Sequence, residues 1–206
     1  MAWTRSELAI AAFTAAYMAA AVIGAWQTGN AEFLYYLVVM VVLIAAVLTV
    51  HLRIRFRPAV LAGLSLWGAA HMAGGLLPVG DSVLYNWWLI PERLKYDQLI
   101  HAYGFALTTW VCWEALRPQL RDPRPRLGVL VLCAAAGSGF GALNEVVEFI
   151  AVLTIPETNV GGYENTGWDL VANLVGATVA AVLIRCFARA AANGASSATA
   201  SAIRNA

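Results

Sequence analysis

Six ionisable side chains stand where an apolar chain should not carry them. His71 lies alone in an apolar run; Asp97 and His101 are four apart in YDQLIHAYGF; Glu145 and Glu148 are three apart in NEVVEF; and Asp169 opens WDLVANLVG with Asn173 four residues on. In a helix, spacings of three and four put both members of a pair on one face. A charge inside a membrane helix costs several kcal/mol unless it is paired or hydrated. Four carboxylates cannot all stay ionised together in a low dielectric without cations nearby, and two histidines supply at most two positive charges. Protons, a metal or a cationic ligand must balance the rest.

Three kinds of chemistry fit. Histidine and carboxylate donors on facing helices suit Zn, Mn or Fe, with His71, His101, Glu145, Glu148 and Asp169 as the candidate ligands. A carboxyl perturbed by burial and like charge suits general acid/base work, with Asp97, His101, Glu145 and Glu148 as the candidate catalytic residues and Asp97 orienting His101. An ion or proton relay is the third. Tyr96, Asn144 and Asn173, with His71 and Asp169, are candidate binding residues. The plain alternative is a structural network of hydrogen bonds between helices. No HExxH motif occurs.

The elements that must position these residues are apolar and long. Of the 206 residues 61% are apolar and 12% charged, about half the charged fraction of an ordinary soluble domain. Mean hydropathy is +0.69. Six stretches approach the ~20 residues a bilayer requires: about 7–26, 32–50, 58–77, 97–116, 127–155 and 167–187. The expected fold is therefore an all-α, polytopic transmembrane bundle, a single domain over 1–189 followed by a flexible cytoplasmic tail over 190–206. The three cysteines all sit in apolar stretches and form no CxxC pair, so they read as packing residues. With a net charge of +1, nothing points to nucleic acid.

Of the 13 basic residues all but Arg93 and Lys95 fall before the first stretch, between the second and third, between the fourth and fifth, or at the end of the sixth and beyond. Basic residues mark the cytoplasmic side, so both termini are expected inside. At 1.5 Å per residue, His71, His101, Glu145, Glu148 and Asn173 then lie about 6–15 Å below the outer surface, where a lipid head group can reach. Asp97 and Asp169 lie nearer the surface. Trp87 and Trp88 in the 78–96 loop suit interfacial anchors, perched on a short surface helix. Gly137, Gly139, Gly141, Gly176 and Ala180 let helices approach closely. His51, among arginines, reads as an interfacial side chain without a role, and Arg117 as the partner of Glu114. The segment from Gly161 to Asn165 reads as an outer loop covering the site or as a plain turn.

The motifs YDQLIHAYGF, NEVVEF and WDLVANLVG resemble the YjdF-like family of bacterial inner-membrane proteins, over Tyr96 to Val182. Their order also resembles the VanZ-like group, with its Asp/His helix, Glu helix and DxxxNxxG helix. One residue fewer than in the YjdF-like pattern separates His101 from Gly104, and Phe149 stands where Trp is usual. Asn173 stands where YjdF-like members carry a second Asp, which removes a negative charge and argues against a two-metal site. The resemblance implies the bacterial cytoplasmic membrane, and VanZ-like proteins are associated with reduced susceptibility to teicoplanin-type glycopeptides. The expected function is an outward-facing pocket, metal-binding or acid/base, acting on a lipid-linked or envelope substrate. A small transporter or proton-coupled carrier, and a structural subunit bound to other membrane subunits, are the alternatives.

Overall fold

The computed structural model describes residues 3–204, with side chains through 194. Six long helices follow in order: α1 (Arg5–Thr28), α2 (Ala31–Ile54), α3 (Pro58–Leu76), α4 (Tyr96–Leu116), α5 (Leu127–Thr154) and α6 (Tyr163–Arg204). Their boundaries follow local chemistry. Thr4 and Glu7 form a capping box at the start of α1, and Gly29 closes that helix in the left-handed conformation (φ 64°). Asn30 caps α2 through Phe33 N–H, and Pro58 occupies the first turn of α3. The expected all-α bundle is what forms. Most of the tail expected over 190–206 lies outside the described side chains.

Among the described residues, five helices are long and apolar enough to cross a membrane: α1, α2, α3, α5 and α6 as far as Gly194. The stretch expected as a fourth span, α4, is the less apolar exception. Its position explains why it can be. It packs against α3, α5 and, most closely, α6, so its polar residues face helices rather than lipid. Many large apolar side chains of the other helices, such as Val38, Val42, Leu132, Leu153 and Val182, are exposed, as a lipid-facing surface requires.

Ion pairs and hydrogen bonds fix the two ends of the bundle. At one end Glu7 of α1 meets His51 (3.2 Å) and Arg55 (3.1 Å) at the end of α2. His51 is only 1% exposed and Glu7 5%, so His51 is a buried partner rather than the idle interfacial residue expected. Also at this end, Glu114 of α4 pairs with Arg57, not with Arg117. Arg57 precedes α3, offers its backbone N–H as well, and lies over the Trp110 ring. At the opposite end Glu32 of α2 accepts from the backbone and side chain of Asn159 (2.8 and 3.0 Å), which ties the α5–α6 loop to α2. The α3–α4 loop lies at this end too. It holds two small antiparallel hairpins, Pro78–Val79 with Ser82–Val83 and Trp88–Ile90 with Leu94–Lys95. Trp88 thus lies on a strand, and Trp87 follows a single 3-10 turn, in place of the expected surface helix.

Small residues set the helix spacing. A Cβ on Gly176 of α6 would strike the backbone carbonyl of Ala102 on α4, and one on Gly141 of α5 would enter the Asn173 side chain. Gly137 similarly faces Thr109, while Gly139 meets open space. Gly176→Ala should therefore cost about 1–3 kcal/mol, seen as a drop of several degrees in melting temperature in detergent. Gly139→Ala should leave melting unchanged.

Candidate metal centre

The site lies at the end of the bundle that carries the hairpins. Three helices build it, each through one sequence pair. α4 brings Asp97 and His101 onto one face, α5 brings Glu145 and Glu148, and α6 brings Asp169 and Asn173. The His101 ring is central and buried. Its Nε2 lies 3.5 Å from Asp97 Oδ1 and 3.8 Å from Glu148 Oε1. Its Nδ1 lies 3.1 Å from Asn173 Oδ1 and 3.5 Å from Glu145 Oε1. One donor atom each from Asp97, His101 and Asp169 lies within 4.8 Å of the other two, and the same holds for His101, Glu145 and Glu148.

Asparagines hold the members in place. Asn165 Nδ2 donates to Asp97 Oδ2 (3.2 Å) and to Asp169 Oδ2 (2.6 Å). Asn144 Nδ2 donates to Glu148 Oε1 (2.8 Å). Asn173 Oδ1 accepts from His101 Nδ1–H, which leaves Nε2 as a lone-pair donor facing Asp97 and Glu148. Metal-ligating side chains are oriented in this way, with the atom that does not bind the metal tied to a neighbour. Asp169 Oδ1 and both oxygens of Glu145 have no hydrogen-bond partner among the described residues, although Asp169 is 0% exposed and Glu145 8%. Orphaned buried oxygens are costly. A cation among them would relieve that cost.

His71 is not brought into either triad. It shares a hydrogen bond with Tyr85 and sits among the rings of Phe33, Tyr36, Trp67 and Tyr85. Burial, with Asp97 and Glu148 nearby, holds the Tyr85 phenol well above its usual pKa, so it stays protonated. Tyr96, expected as a binding residue, bonds the carbonyl of Ala70 instead (3.0 Å) and fastens α4 to α3.

Two residues escape the sequence reading. Asn165 bridges α4 and α6, and Lys95 reaches its Oδ1 (3.4 Å) while lying over the Trp88 ring. The signal for Asn165 is its spacing of four before Asp169, masked because α6 starts at Tyr163 rather than at Gly167.

A family model described as "predicted membrane protein (DUF2238)" matches residues 8–190. The chain belongs to the DUF2238 family. That membership agrees with the YjdF-like resemblance and establishes a membrane protein in contact with the lipid bilayer. No curated protein and no solved structure matches the chain.

The Glu145 oxygens have no hydrogen-bond partner among the described residues, and their ion-pair contact with His101 is a long 3.5 Å, so a structural network has little to lose at this position. In metal-free protein Glu145→Gln should keep or raise the melting temperature. A fall of several degrees would mark Glu145 as structural.

Proposed function

We propose that this DUF2238 protein carries a divalent-metal centre in a pocket opening at the outer face of the bacterial cytoplasmic membrane, and uses it on a lipid-linked or envelope substrate. One observation carries the reading: buried carboxyl oxygens without partners surround a histidine whose other nitrogen is already tied. His101 Nε2, Asp97 and Asp169 are the ligands, and the mixed N/O donor set suits Zn, Mn or Fe. Such an ion supplies Lewis-acid activation of a bound oxygen. Glu145, buried and 3.5 Å from His101 Nδ1, is placed to take up or give back a proton.

Orientation follows from the arginines. Arg5, Arg53, Arg55, Arg57, Arg117, Arg121, Arg124 and Arg126 gather at the end away from the site, which makes that end cytoplasmic. We read α4 as the sixth span, shielded from lipid by its neighbours. The VanZ-like resemblance supports a role at the cell envelope.

Metal analysis of protein purified without chelator tests the centre. At least one metal ion per chain is expected in the wild type, and His101→Ala should lose the ion held by Asp97, His101 and Asp169. A wild-type protein that takes up no Zn, Mn or Fe ends this reading. For topology, a C-terminal fluorescent-protein fusion should fluoresce and an alkaline phosphatase fusion should stay inactive; the reverse pattern would overturn the orientation.

A further inference from the structure

The two triads share only His101, and that division has a geometric meaning. Donors at about 2.1 Å from one ion lie at most about 4.2 Å apart. Each triad, within 4.8 Å, can close on an ion by a small contraction, and the five donors form two such sets rather than one. We propose that the cluster holds two divalent cations: one at Asp97, His101 and Asp169, and a second, oxygen-ligated ion between Glu145 and Glu148. This rests on the metal reading above, goes beyond it in number and position, and makes Glu145 a ligand in place of a proton carrier.

Three observations support the second ion. First, orphaned oxygens occur in both halves, at Asp169 Oδ1 and at Glu145 Oε1 and Oε2. An ion in the Asp97–Asp169 half leaves the Glu145 oxygens as they were. Second, charge closes: four carboxylates balance two divalent ions, whereas with one ion two of the carboxyls need protons or another cation to be neutral. Lys95 meets the cluster through the Asn165 amide and supplies one positive charge at its edge. Third, Glu145 and Glu148 share a helix face on α5, and Asn144 steadies Glu148 Oε1, so Oε2 is free to ligate. A carboxylate pair with no further nitrogen donor selects a hard ion such as Mn or Mg.

Asn173 is the residue whose loss of charge argued against a two-metal site. In the structure it serves His101 Nδ1 and stands outside both triads. Its neutrality therefore removes no ligand.

Manganese titration of the purified, metal-stripped protein, read by metal analysis and electron paramagnetic resonance, tests this. About two Mn per chain with a spin-coupled signal are expected. Glu145→Gln and Glu148→Gln should each leave about one Mn with an uncoupled signal. One Mn per wild-type chain, with the spectrum of an isolated ion, overturns the second position and assigns Glu145 and Glu148 a shared proton instead, leaving the first centre standing. Failure to bind any divalent ion overturns both. The wild-type spectrum decides the matter even if a variant fails to fold.

Discussion

Charge in a place with little water is the constraint on which this structure turns. Asp97, Glu145, Glu148 and Asp169 converge on His101, and the rest of the bundle can be understood as the arrangement that tolerates them. The helix that brings the histidine, α4, is the least apolar of the six, and it is wrapped by α3, α5 and α6. Polar faces turn inward and apolar side chains turn out. The bundle thereby reverses the soluble pattern over α4 and keeps the lipid-facing surface on its neighbours.

The opposite end solves the same problem differently. Glu7, His51 and Arg55 meet there, as do Glu114 and Arg57, so each acid has a basic partner and its needs are met within the chain. Around His101 the balance differs: four carboxylates share one histidine, and among the described residues no arginine lies with them. Burial alone does not make that distinction, since Glu7 and Glu145 are about equally hidden.

Much of this was legible in sequence, and for a definite reason. Helical periodicity is local, so the pairs Asp97/His101, Glu145/Glu148 and Asp169/Asn173 announced shared faces before any packing was known. Convergence of the three faces was expected from their similar depth. Partner choice was less legible, because it is settled by helices distant in sequence. Glu114 finds Arg57 rather than the nearby Arg117, and His51 finds Glu7. His71 was grouped with the other polar residues by its position in the chain, yet the rings of Phe33, Tyr36, Trp67 and Tyr85 enclose it, and aromatic packing of that kind leaves no periodic trace. Asn165 was missed through a boundary: the helix begins one turn earlier than apolarity suggests, because polar residues can occupy a first turn outside the apolar layer.

The meeting of Gly176 with the Ala102 carbonyl has a further consequence. Ala102 follows His101 directly, and Gly176 comes three residues after Asn173, so the helix backbones touch at the level just beyond the ring. Gly141 against Asn173 and Gly137 against Thr109 continue the close approach on the α5 side. A side chain added at Gly176 would have to push the backbone that carries His101, and one at Gly141 would push the amide that bonds its ring. The geometry of the polar cluster is thus set by residues that have no side chain at all.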